Sequence, residues 1–108
     1  MRVESRVAGG DVNPYLAFAA LLAAGLAGID GAYELGPAWA GSGYDARDEP
    51  HVPSTLLEAR DLFAGSELAR EALGEEVVAH YVNAATVELD AFAAAVTDWE
   101  LQRSFERL

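Results

Sequence analysis

The chain has 108 residues, 52% of them hydrophobic and 23% charged, a balance that supports one folded domain of modest core and excludes both a disordered acidic tail and a second catalytic domain. Its net charge of −11, with seven scattered arginines as the only Lys or Arg residues, excludes nucleic acid as a partner, because phosphate binding needs clustered cations. The absence of cysteine excludes a disulfide framework and thiolate metal sites.

Charge is distributed unevenly. Residues 1–29 hold Arg2, Glu4, Arg6 and Asp11, which cancel, so the whole excess of −11 lies in residues 30–108. Met1 is followed by a charged, alternating segment and not by a basic stub with an apolar core, so a cytoplasmic protein is expected.

From Arg2 to Val7 the charged residues Arg2, Glu4 and Arg6 alternate with Val3, Ser5 and Val7, the two-residue period of a strand. A short strand is therefore expected over 1–7, with three charges on one face about 7 Å apart in succession. A carboxylate between two guanidinium groups suits phosphoryl chemistry: the carboxylate offers hard oxygen to Mg²⁺ or Mn²⁺, and the arginines make bidentate contacts to phosphate or carboxylate. The plainer alternative is an edge strand whose alternating charges discourage aggregation.

Turn residues Ala8 to Asp11 lead to Asn13-Pro14, a helix start in which Asn caps free amides and Pro at the first position loses no hydrogen bond. The helix expected over 14–29 carries no charge, and Tyr15, Leu16, Phe18, Leu21, Leu22, Leu26 and Ile29 cover most of its circumference, which predicts burial nearly all round. Its 16 residues fall short of the roughly 20 that a bilayer demands, so no membrane span is expected. Gly25 and Gly28 fit close packing against a neighbour.

Residues 30–53 contain seven Gly or Pro residues together with Trp39, Tyr44 and the charged run Asp45 to Glu49, the composition of a long surface loop. Helices are expected over 54–108. Thr55 with Glu58 forms a capping box for a helix to about Phe63, Ser66 caps a short helix that Gly74 stops, and Thr97 with Glu100 repeats the box before a last helix. Between them Val78, Tyr81, Val82, Ala85, Leu89, Phe92 and Val96 recur at steps of three and four, marking a long amphipathic helix. Trp99 and Phe105 are expected to dock the last helix on the long one. Glu67, Glu71, Glu75 and Glu76 read as a solvated face. His51 and His80 lack a ligand partner at helical spacing and read as solvent or packing residues.

Several of these segments together resemble the C-terminal region of glutamine synthetases. The resemblance rests on Arg2-Val3-Glu4-Ser5-Arg6, the Gly-rich turn with Asp11, Asn13-Pro14-Tyr15-Leu16, and the Ala/Leu-rich helix ending Gly25-Leu26-Ala27-Gly28-Ile29. Val52-Pro53-Ser54-Thr55-Leu56, Arg70-Glu71-Ala72-Leu73-Gly74 and Val96-Thr97-Asp98-Trp99-Glu100 extend it over essentially the whole chain. The fold it implies is α+β and mostly α: one N-terminal strand followed by a helical bundle, a partial glutamine synthetase catalytic domain.

The resemblance also implies roles. Arg2 approaches the nucleotide phosphates, Glu4 ligates a divalent metal, and Arg6 holds the substrate glutamate or its developing γ-phosphate. The family's cofactors are ATP and Mg²⁺ or Mn²⁺, its substrates are glutamate and ammonia or an amine, and its full-length chains form homo-oligomers. Val7-Ala8-Gly9-Gly10-Asp11 departs from the pattern of ammonia-using members and looks more like the branch that ligates glutamate to amines or polyamines. The family's other metal carboxylates, its metal-binding His and its ammonium-site acid lie upstream and have no counterpart here. The chain is thus expected to be inactive alone, its partner being the missing N-terminal part of the enzyme or full-length ligase subunits. The alternative is a non-catalytic helical module that associates with a full-length ligase.

Overall fold

A computed structural model describes residues 4–46, 49–105 and 107. It contains five α-helices: α1 (Pro14–Asp30), α2 (Leu56–Gly65), α3 (Glu67–Leu73), α4 (Glu75–Ala94) and α5 (Asp98–Phe105). No β-strand occurs among the described residues, which corrects the expected α+β class with an N-terminal strand to an all-α arrangement. The reason is the absence of a pairing edge: a strand satisfies its backbone groups only against another strand, and none is present among the described residues. Glu4 to Val7 stay exposed and irregular, while residues 1–3, including Arg2, lie outside the described residues.

Helix α1 begins where its chemistry dictates. Asn13, with φ −67° and ψ 109°, accepts hydrogen bonds at Oδ1 from the amides of Tyr15 (3.1 Å) and Leu16 (3.3 Å), and Pro14 occupies the first turn. At the other end Gly31 N donates to Ala27 O at 2.9 Å and Tyr33 N to Gly28 O at 2.9 Å, satisfying carbonyls that the helix cannot. The expected burial all round is overturned, since Tyr15 is 86% and Ile29 76% exposed. Helix α1 packs against α3, with Ala20 and Ala23 facing Leu68, Ala69 and Ala72 across a shared cleft; Leu16 is half-buried, whereas Tyr15, Phe18, Leu22, Leu26 and Ile29 are exposed.

The segment from Ala32 to Thr55 is exposed apart from the half-buried Ala46 and the undescribed pair 47–48. A single 3₁₀ turn, Gly43–Asp45, is capped by Ser42, and Trp39 Nε1 donates to Ser42 O at 3.0 Å. Trp39 thereby closes its own loop turn.

The three central helices are joined by single residues. Thr55 Oγ1 accepts from Glu58 N at 3.2 Å, while Glu58 Oε2 accepts from the amides of Ser54 (3.0 Å) and Thr55 (3.3 Å), completing the capping box of α2. These bonds, those to Ser54 first, hold the Glu58 carboxyl below its ordinary pKa. Ser66 ends α2 and caps α3, its Oγ accepting from Ala69 N at 3.1 Å. Gly74, at φ 87° and ψ 152°, turns α3 into α4, a backbone region open essentially to glycine alone. Arg70 ties the three together: its guanidinium donates to Ala64 O at the end of α2 and to Ser66 O, and its Nε lies 3.0 Å from Glu75 Oε2 at the start of α4. A cation on terminal carbonyls and an anion at a helix start both match the helix dipoles.

Helix α4 lies along α2 and contacts α3. Its inward stripe contains Val78, Val82, Ala85 and Leu89, of which only Val78 is fully buried, at 2% exposure. Phe92 is exposed and Val96 falls beyond the helix end, so the stripe stops earlier than its periodicity predicts. Helix α5 has the expected capping box, Thr97 N donating to Glu100 Oε2 at 2.8 Å. Trp99 and Phe105 remain exposed, however, and do not dock it. The radius of gyration is 18.5 Å, against about 13 Å for a compact domain of this length; the helices form an open chain of contacts in place of the expected bundle.

Candidate functional site

Of the three charged residues singled out in the sequence, Glu4 and Arg6 are described and meet each other. Arg6 Nε donates to Glu4 Oε1 at 2.6 Å, with both side chains more than half exposed. This is a short charge-assisted bond, and it leaves the second oxygen of Glu4 and the terminal nitrogens of Arg6 available. Arg2 lies outside the described residues.

Ser5 and Val7 line an apolar groove of about 280 Å³ floored by Leu16 and Leu21 of α1, Phe63 of α2 and Leu73 of α3. Val7 is nonetheless 72% exposed, so the alternation read in the sequence does not sort these residues into a covered and an open face.

A lone carboxylate beside a guanidinium limits what this end of the molecule can do. Glu4 is a hard oxygen donor of the right chemistry for a divalent cation, but such an ion takes about six oxygen ligands, and no group of three His, Asp or Glu residues that could hold a metal occurs among the described residues. Glu4 alone does not make a metal site among the described residues. Neither His51 nor His80 belongs to such a group, and the His80 ring packs edge-on to Tyr81 at 5.4 Å between centroids.

A surface cleft of about 680 Å³ lies apart from that pair, between His51, Pro53, Ser54, Glu58, Asp61 and Leu62. Its Glu58 carboxylate is already engaged in the α2 cap. The sequence signalled that carboxylate only as a capping residue, and the geometry keeps it in that role.

A family model described as the glutamine synthetase catalytic domain matches residues 1–104. The chain belongs to the glutamine synthetase catalytic-domain family. Over 108 residues it is 61% identical to the gamma-glutamylethanolamide synthetase of Streptomyces coelicolor, covering 100% of this chain and 23% of that protein. It is 40% identical over 109 residues to a type-1 glutamine synthetase of Dictyostelium discoideum, covering 97% of this chain and 21% of the relative. A glutamate–isopropylamine ligase of a Pseudomonas species is 38% identical over 104 residues, with 94% and 23% covered. The chain thus spans about a quarter of the length of the curated glutamine synthetase relatives it matches, and corresponds to their C-terminal portion.

No helix among the described residues is long and apolar enough to cross a membrane.

Proposed function

We propose that the chain supplies the C-terminal active-site segment of an ATP-dependent glutamate–amine ligase and is inactive without the rest of that catalytic domain. The supporting observation is the 61% identity, along its whole length, to a gamma-glutamylethanolamide synthetase, against 40% to a type-1 glutamine synthetase. The departure at Val7 to Asp11 from the ammonia-using pattern points the same way.

In the assembled site the γ-carboxylate of glutamate attacks the terminal phosphorus of ATP, ADP leaves, and an amine then displaces phosphate from the acyl carbon to form an amide. Nearly all of the catalysis in such a transfer is positioning and neutralisation of oxygens. Arg6 would hold the glutamate carboxylate and the phosphoryl group that develops on it, its terminal nitrogens remaining available beside the Glu4 contact. Glu4 would be one oxygen ligand of a Mg²⁺ or Mn²⁺ ion, which supplies charge neutralisation when bound. Arg2 would reach the nucleotide phosphates. The Glu4–Arg6 bond orients both groups before substrate arrives, lowering the cost of ordering them.

The test is reconstitution. The chain combined with the upstream three-quarters of the Streptomyces coelicolor relative should form amide from glutamate, ATP and ethanolamine, and Glu4→Ala should lower the rate on the order of a thousandfold. Full activity in that variant would remove Glu4 from the site. Association without turnover in the unmodified chain would leave a non-catalytic module as the remaining reading.

A further inference from the structure

The fold uses three of its described arginines internally. Arg6 pairs with Glu4, Arg60 with Asp61 and Arg70 with Glu75, whereas Arg103 and Arg107 form no ion pair among the described residues. With 18 acids to 7 arginines in the chain, carboxylates are abundant, so two unpaired cations close together are a departure. Trp99 and Arg103 lie one turn apart on α5. Arg107 follows a turn later, just past the helix end, where its amide donates to Ser104 O at 3.4 Å. These three side chains and Gln102 line a single cleft of about 300 Å³. Neither acid of α5, Asp98 or Glu100, lines it, and Glu100 Oε2 is turned to Thr97 N at 2.8 Å. Trp99 is 69% exposed, and its ring stacks on no other ring or cation among the described residues.

We propose that this cleft binds a small phosphomonoester that carries a flat ring. The charge selects the phosphate. A phosphomonoester has about −1.5 to −2 charges at neutral pH, which two guanidinium groups match, and their planar forks suit its oxygens through bidentate bonds. A carboxylate would leave one of the two cations unmatched, and a nucleic acid would need a longer row of cations than this pair. Gln102, lining the same cleft, adds an amide donor for a further oxygen. The indole selects the ring, since an exposed aromatic face gains by stacking on a second flat one. A cleft of about 300 Å³ is at the low end of small-molecule sites, which favours one ring and one phosphate over a dinucleotide. None of the four residues belongs to the segment of Arg2, Glu4 and Arg6, so this site stands or falls apart from the ligase reading.

Phenyl phosphate is the probe, titrated into the whole chain and followed by calorimetry and by NMR of the two indole N–H groups. Binding is expected with a dissociation constant on the order of 1 mM or below, shifting the Trp99 indole resonance and leaving that of Trp39, which is bonded to Ser42 O. Glycerol phosphate, which lacks the ring, and phenol, which lacks the phosphate, should each bind at least about tenfold more weakly. Arg103→Gln with Arg107→Gln should weaken phenyl phosphate binding at least about tenfold, and Trp99→Leu about tenfold. Circular dichroism should be unchanged in both variants, because all three side chains are exposed. Arg60→Gln removes a cation from a paired site and should leave binding unchanged. No binding at about 10 mM, equal binding of glycerol phosphate, an equal loss in Arg60→Gln, or binding indifferent to the Arg103 and Arg107 variant would each overturn the proposal.

Discussion

Adding one methyl group at two glycines should change stability in opposite directions, and the structure supplies both signs. A Cβ at Gly74 meets nothing within 4 Å, yet the backbone there sits at φ 87° and ψ 152°. The whole cost of Gly74→Ala is thus conformational, about 1–3 kcal/mol for an L-residue in that region, since Gly74 must keep its bond from N to Arg70 O (2.9 Å) and accept Val78 N (3.2 Å). A Cβ at Gly65 also meets nothing within 4 Å, but Gly65 is the last residue of α2 and has no positive φ. Gly65→Ala should therefore stabilise by roughly 0.5–1 kcal/mol by restricting the unfolded chain. Urea unfolding followed at 222 nm gives both values, provided the slope with denaturant is unchanged. A D-alanine placed at position 74 by chemical synthesis should recover the loss, because its mirror-image preference favours positive φ. If L- and D-alanine destabilise equally, the cost arises from contacts and the backbone reasoning is refuted.

Other expectations rest on the caps. The Glu58 carboxyl has a lowered pKa in the folded chain, so its contribution is complete above the unfolded value of about 4.3 and is lost as pH falls below it through the folded value; an NMR titration of Glu58 should show the depression, and Ser54→Ala with its hydroxyl removed should reduce it. Arg70→Met keeps much of the aliphatic stem but removes the donors to Ala64 O and Ser66 O and the ion pair with Glu75, and should cost about 1–2 kcal/mol. The loss should be largest in amide protection at the α2–α3 junction, as read by hydrogen exchange, and a uniform loss along the chain would contradict that placement.

What was legible in the sequence was chemistry between near neighbours. Asn13 and Pro14 start α1, Thr55 and Glu58 box α2, Ser66 caps α3, Gly74 breaks it from α4, and Thr97 and Glu100 open α5; each depends on groups within four residues. What failed was everything requiring a distant surface. The alternation of residues 1–7 has no partner strand to pair with among the described residues. The apolar circumference of α1 stays open on its large side, and Trp99 and Phe105 stay undocked. Composition records that these side chains need cover but not whether the cover lies within the same 108 residues. The candidate site follows the same division. The sequence drew attention to Glu4 and Arg6, but as residues about 7 Å apart on a strand face, whereas without a strand they meet in a 2.6 Å bond.

The main helix contacts are α1 with α3, α3 with α4 and α4 with α2, and Arg70 also ties α3 to α2. Helix α1 has α3 as its one main partner among these contacts, so the free energy of opening should rise from α1 toward the α2–α4 pair around Val78. Slow amide exchange should be concentrated in that pair, with α1 exchanging at nearly peptide-like rates. The segment that presents Glu4 and Arg6 is consequently attached at a loosely held end of the chain, and its geometry is readily tightened when a larger body closes over it.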